Sequence, residues 1–283
     1  MNACLSTVIA VSVASIGCGA EGTSLISEPA TNPLGRANAR IAPAPAGFVV
    51  TKIAPGAFVV TTQPHATNSL LVRTPNDTVI LVDTPFTPPD TEELLAWSQR
   101  QWGRLPTFAV NSHWHFDATG GNQVLVNNGV EVWSSQRTAT ALRQRGEQLR
   151  LDLMTSFSKR NPDTAKKLRS LRPTPATRII DIRDSVELVL GGETVQLVYP
   201  GPSHSADSIG VFFPARRLLY GGCAVRSDAR IGYRGEADLA NWPRALETFA
   251  ALRPKLVVPG HGRRFDPEMI AESIAAARAE AAK

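Results

Sequence analysis

The sequence predicts an α/β fold, an αββα sandwich of two β-sheets packed face to face and flanked by helices. Three observations carry this. Short β-rich runs open each half of the main body, helical patterns follow each set of runs, and hydrophobic residues make up 43% of 283 positions, ample for one large packed core.

The elements follow in chain order from near Phe48. FVVTKIAPGAFVVTT and NSLLVRTPNDTVILVDT are β-rich runs broken by Pro-Gly and Pro-Asn-Asp turns, the pattern of antiparallel hairpins. Thr87-Pro88-Pro89-Asp90 then offers an N-cap, a proline at the first helical position and an acid at the third. Leu94, Leu95 and Trp102 give the following helix a core-facing side. LPTFAV is a further strand, a second helix follows Gly121, and a longer one runs from about Gln136 to Met154. The polar stretch from Ser156 to Thr177, with three prolines, reads as a connection. The pattern then restarts with the strands DSVELVL, ETVQLVYPG, SIGVFFP and RLLYGG, a helix over 241–252 and the strand LVVPGHG. Asp266-Pro267-Glu268 is expected to cap a final Ala-rich helix.

Ahead of the body, residues 1–20 read as an export signal. The apolar-to-small run from Cys4 to Gly17 is too short to span a bilayer and suits a signal h-region, although no Lys or Arg precedes it. Ser15-Ile16-Gly17-Cys18 resembles a lipobox, so lipidation at Cys18 and ordinary cleavage after Ala20 are both open. Residues 21–47, rich in Ala, Pro, Asn and Ser, read as a flexible tether, leaving 48–283 as one domain. Export from the cytoplasm is expected, with a membrane anchor if Cys18 is lipidated. The net charge of +5 comes without a clustered basic stripe, so no nucleic-acid partner is expected, and the positive charge implies a mild attraction for anionic ligands.

The chemistry lies in NSHWHFDATGG, residues 111–121. His113, His115 and Asp117 alternate at the end of a strand, so their side chains can converge from one short segment. His204 sits in GPSHSADS, Cys223 in YGGCAV and His261 in PGHG. Four of the five histidines, and the only cysteine of the predicted mature chain, thus stand at strand exits beside glycine or small residues. Each has an ordinary explanation alone: a turn histidine, a polar loop, a small buried thiol. Their conjunction points to two zinc ions. His113, His115 and His204 make an all-nitrogen set. Asp117, Cys223 and His261 make a mixed set that zinc accepts and magnesium or calcium would not choose. Metal binding would also hold Cys223 as thiolate.

VDTPF, HWHFDATGGN, GPSHSADS, LLYGGCAV, EADLANWP and VVPGHG, spread over 48–283, resemble the metallo-β-lactamases, and Ala118 together with Cys223 resembles subclass B1. The resemblance implies the αββα fold, two zinc ions per chain in the sets above, a periplasmic monomer, and a small-molecule β-lactam substrate whose amide is attacked by metal-bound hydroxide oriented by Asp117. Antibiotic resistance is the biological outcome it implies. It places Arg226 where relatives bind the substrate carboxylate with lysine, a role arginine can fill with two prongs; a solvated surface arginine is the alternative. It aligns Tyr233 with a substrate-contacting asparagine. Asp83 becomes a brace for the metal loop or simply a turn residue. TTQPHATN is shorter and more polar than the hairpin tip relatives project over the substrate, so a weaker clamp and a higher KM are expected; His65 could compensate, but reads first as an exposed loop residue. Two other functions remain open: hydrolysis of lactones, esters or thioesters at the same site, and zinc binding by an envelope protein without turnover.

Overall fold

The structure is a computed structural model and describes Val8–Ile9 and residues 40–63, 65–228 and 230–283. The segment read as an export signal, apart from Val8–Ile9 (β1), and most of the segment read as a tether lie outside the described residues. Within residues 40–47 the backbone of Ala42 is already bonded to the following domain: it accepts from Trp97 Nε1 at 3.1 Å and donates to Gln101 Oε1 at 2.6 Å.

Short turns make antiparallel neighbours, and helical crossovers make parallel ones. Strands β2 (Phe48–Ala54), β3 (Ala57–Thr62), β4 (Thr67–Arg73) and β5 (Val79–Val82) pair antiparallel through tight connections. Beyond β5 the pairing becomes parallel, to β6 (Phe108–Val110), β7 (Glu131–Ser135) and β8 (Arg178–Ile180). The crossovers are α1 (Pro88–Trp102), then α2 (Phe116–Thr119) with α3 (Asn122–Asn127), then α4 (Gln136–Arg160) with α5 (Pro162–Leu168). These seven strands form one sheet in sequence order. The second sheet holds β9 (Ser185–Leu190), β10 (Glu193–Val198), β11 (Gly210–Phe213), β12 (Leu218–Gly222) and β13 (Leu256–Pro259), with β1 parallel on the β9 edge. Helix α6 (Trp242–Ala251) bridges the parallel pair β12 and β13, and α7 (Glu268–Ala281) follows.

Side-chain parity builds the layers. Val59, Leu70, Val72, Ile80 and Val82 face inward and meet Leu188, Val195, Val211, Phe213 and Val258 of the other sheet. Their sequence neighbours Phe58, Val60, Leu71, Val79 and Leu81 face outward, onto Leu94, Trp97 and Leu125 of α1 and α3. On the opposite flank Phe212, Leu219 and Val257 meet Leu246, Phe249 and Ile270 of α6 and α7. A strand's two-residue period therefore serves two cores at once, which is why these strands are apolar almost throughout. The observed architecture is the predicted αββα sandwich.

The cap of α1 is as predicted: Asp90 N–H bonds Thr87 Oγ1 at 3.4 Å, and Gly103 ends the helix in the left-handed region at φ 71°. Three expectations need correction. Helix α4 does not stop at Met154; it continues to Arg160, because the apolar positions Leu149, Leu153 and Phe157 keep helical spacing through the polar run. The stretch from Ser156 to Thr177 is accordingly not a plain connection. Asn161 accepts from Thr164 N–H at 3.1 Å and Pro162 opens α5, so a cap and a first-turn proline start a helix there. At α7, Asp266 makes no cap bond; its carboxylate is taken by Arg264 at 2.9 Å.

Candidate metal centre

The parallel strands β5 and β6 of one sheet, and β12 and β13 of the other, end at the same edge of the sandwich, and backbone bonds lace the two sheets together there. Asn68 N–H donates to the Gly260 carbonyl at 2.9 Å, and Ile209 N–H to the Ser112 carbonyl at 2.8 Å. Asn68 Nδ2 also reaches Pro259 O at 2.9 Å and Gly262 O at 2.7 Å. Loops on this edge are fixed by the sheets, so short polar side chains can be placed with little freedom.

His113, His115 and Asp117 leave β6 and enter α2; His204 lies between β10 and β11, Cys223 after β12, and His261 after β13. All six converge. His113, His115 and His204 form one group whose ligand atoms lie within 4.8 Å of one another, and His113, Asp117 and Cys223 form a second. His261 joins through Asp117: its Nε2 lies 3.0 Å from Asp117 Oδ2, the oxygen that Cys223 Sγ also contacts at 3.0 Å. The second set is thus centred on the Asp117 carboxylate, with His113 standing between the two sets. Close backbone approach makes this possible. A side chain at Gly260 would put its Cβ 2.5 Å from Cys223 Sγ, and Gly222, at φ 55°, turns the chain just before the cysteine.

The donor atoms fit a metal ion. His115 Nδ1 and His204 Nε2 face each other at 3.2 Å, both ring nitrogens. Two nitrogens bound to one tetrahedral zinc at 2.0–2.1 Å lie roughly 3.3 Å apart. His113 Nε2 is buried and has no hydrogen-bond partner among the described residues, although it lies 3.3 Å from Asp117 Oδ1. Such an orphaned imidazole nitrogen asks for a ligand. Charge points the same way. Burial opposes charge on His113 and His261, yet Asp117 and Cys223 raise both well above the ordinary histidine value. Burial works against Asp117 too, but His113 and His261 hold its carboxyl well below the usual range. Burial, reinforced by His113 and His115, pushes His204 well below. The pocket therefore gathers protons where a cation would neutralise the same acidic atoms, the proton-for-metal exchange of a binding site.

Outer contacts orient the clustered side chains. Asp83, itself at φ 57°, is pushed up to about 6 by burial and accepts from Ser112 N–H at 2.6 Å and Ser112 Oγ at 2.5 Å. Ser112 Oγ lies 3.1 Å from His113 Nδ1, so the brace expected of Asp83 acts through Ser112. His261 Nδ1 lies 2.9 Å from the His65 carbonyl. Sequence reasoning missed Glu236. It accepts from Trp114 Nε1 at 2.9 Å, pairs with Arg145, and lies 3.5 Å from His115 Nε2, the nitrogen turned away from the cluster. Glu236 stands in the quoted tract EADLANWP, but nothing in its spacing marks it as a partner of a histidine 121 positions earlier.

The cluster floors an open cavity of about 510 Å³. Arg226 and Tyr233 both line it. The Arg226 side chain is 16% exposed and donates from Nε to the Arg230 carbonyl at 3.1 Å, so it is held within the site rather than spread over the surface. Tyr233 is 60% exposed, with its ring centroid 5.7 Å from that of His115. His65 is not an exposed loop residue: its ring packs 5.5 Å from Phe86 and 5.0 Å from Phe157. The remaining lining was not foreseen, and most of it comes from the end of α4, including Leu149, Leu153 and Phe157.

Comparisons with known proteins bear on the family and the fold. A metallo-beta-lactamase type 2 of Pseudomonas aeruginosa is 27% identical over 229 residues, 78% of this chain and 80% of that protein. One of Bacteroides fragilis is 29% identical over 199 residues, 69% of each. Among solved structures, the metallo-beta-lactamase from Pontibacter korlensis is 26% identical with a TM-score of 0.65, covering 82% of this chain and 99% of that one. The mono-zinc form of FIM-1 from Pseudomonas aeruginosa, 24% identical with a TM-score of 0.69 over 85% and 99% of the two chains, shares the fold. The superfamily profile matches residues 62–261, from the end of β3 to the histidine after β13, and so spans both sheets and every clustered donor: the chain belongs to the metallo-beta-lactamase superfamily.

Proposed function

We propose that the chain hydrolyses the amide bond of β-lactams with two zinc ions, one held by His113, His115 and His204 and the other by Asp117, Cys223 and His261. The observation that carries this is the presence of a thiol among the imidazoles, 3.0 Å from a half-buried carboxylate, on the floor of a cavity that also holds an arginine. Bound zinc supplies Lewis acidity and lowers the pKa of coordinated water to about 7.

The chain's own residues do the rest. In hydrolysis a water oxygen joins the lactam carbonyl carbon, the C–N bond breaks, and the nitrogen leaves with a proton. Asp117, kept ionised by its histidine neighbours, is the carboxylate on the floor that can orient the attacking water. Arg226 offers a fixed cation for the carboxylate carried by β-lactams. Tyr233, standing beside His115 and His204, can donate its hydroxyl to the substrate. Glu236 fixes the His115 ring. The signal-like N-terminus supports work in the periplasm, with Cys18 as the anchor if it is lipidated.

The test is a chromogenic cephalosporin and a carbapenem mixed with purified protein, with and without a chelator. Hydrolysis abolished by chelation and restored by zinc is the expected result. Turnover of lactones with none of β-lactams would overturn the reading.

A further inference from the structure

The β3–β4 connection, residues 63–66, contributes His65 to the cavity, whereas α4 contributes a continuous flank. Leu142 and Gly146, on the first half of α4, are buried; Leu142 packs with Trp114, Phe116 and Leu168. Leu149, Leu153 and Phe157 continue the same stripe at helical spacing, but they are half-buried and line the cavity. Across from them stands Phe86, whose ring meets Phe157 edge-on at 5.8 Å, with His65 beside both. A stripe that begins in the core and ends in an open cavity leaves apolar surface in water unless a ligand covers it.

Resting on the reading of the site given above, we infer that the end of α4 selects the substrate: Leu149, Leu153 and Phe157, with Phe86, seat an aromatic or alkyl substituent next to the reacting bond. The same cavity is lined by the cationic Arg226, by the clustered donors, and by Leu149, Leu153 and Phe157 of α4, whose Asp152 and Ser156 also reach it. A substrate with a carboxylate at one end and an arene at the other matches that lining. The β3–β4 hairpin is too short to provide such a wall, and α4 takes its place. Phe157 is a positioning residue for the substituent and touches none of the reacting atoms.

Two pairs of ligands test this on zinc-loaded protein, with melting curves showing that the variants fold. The first pair is benzylpenicillin and the penam nucleus carrying a bare amine in place of the phenylacetyl amide. Wild type is expected to show a KM about tenfold lower for the phenylacetyl compound. Phe157→Ala should erase that difference while kcat stays within about twofold, and Phe157→Leu should restore part of it. The second pair, read by calorimetry without turnover, is mercaptoacetate and its benzyl-substituted analogue. A preference of roughly tenfold for the benzyl compound, lost in Phe157→Ala, is expected. If wild type hydrolyses neither penam, the β-lactam reading fails and the thiol pair alone decides the wall. Absence of a benzyl preference in wild type, or an equal loss for both members of a pair in Phe157→Ala, overturns the inference.

Discussion

His113 and His204 are buried at the rigid ends of strands, and a hydroxyl, a ring and a carboxylate fix the groups around them; Leu149, Leu153 and Phe157 stand half-exposed on one helix face, packed against an apolar cluster and, at Phe157, the His65 ring. The first set is the floor of the cavity and the second its wall. Floor atoms must sit within a few tenths of an ångström to share an ion, so their positions are over-determined by two sheets. Wall atoms need only be apolar and near, so a helix end is sufficient. The difference predicts that the floor governs whether reaction occurs and the wall governs what reacts.

The largest effect should come from breaking the floor. Cys223→Ser exchanges the soft ligand for a hydroxyl that is not ionised at neutral pH, and turnover should fall by more than about a hundredfold, beyond what loss of an outer contact costs. Zinc content measured on the same preparation checks the cause. Gly260→Ala strikes the floor without removing a donor, because the new Cβ would stand 2.5 Å from Cys223 Sγ. A loss of bound zinc with both sheets intact by circular dichroism is expected; unchanged stoichiometry would show that the loop yields freely.

Outer contacts should matter less. Glu236→Gln keeps the shape but removes the charge that faces His115 Nε2, and a loss of about tenfold in zinc affinity is expected from competition with a chelating dye. The smallest effect belongs to Asp83 in the metal-free protein. Its folded pKa, raised to about 6, lies above the ordinary value of 3.8, so the folded state holds the extra proton between those two values. Stability from this group is therefore present at low pH and is lost as pH rises through about 6. Asp83→Asn should flatten that slope in urea unfolding; an unchanged slope would place the titration elsewhere.

The floor was legible in the sequence because its chemistry needs rare residue types at strand exits. HxHxD, a single cysteine within residues 48–283 and a histidine between glycines are uncommon enough to identify one another. The two sheets were legible because strands such as FVVTT and LLYGG are apolar on both faces, as a layer between two cores requires. The wall was hidden for the opposite reason. Leu149, Leu153 and Phe157 are ordinary helix residues set among Arg, Ser and Asp, and three prolines between 156 and 177 suggested an early end to the helix. Glu236 was hidden because its partners, Trp114, His115 and Arg145, are adjacent only after folding. The capping role given to Asp266 failed because Arg264, two residues away, offers a stronger partner than the helix end.

The central claim is that the Cys223 sulfur and the clustered imidazoles bind metal in one pocket, and cobalt substitution tests it most directly. Cobalt(II)-loaded wild-type protein should show a near-ultraviolet thiolate-to-metal charge-transfer band together with visible ligand-field absorption, and Cys223→Ser should lose the charge-transfer band while keeping a ligand-field spectrum from the all-histidine set. A loaded protein with no thiolate band, or one whose spectrum is the same in Cys223→Ser, would contradict the account.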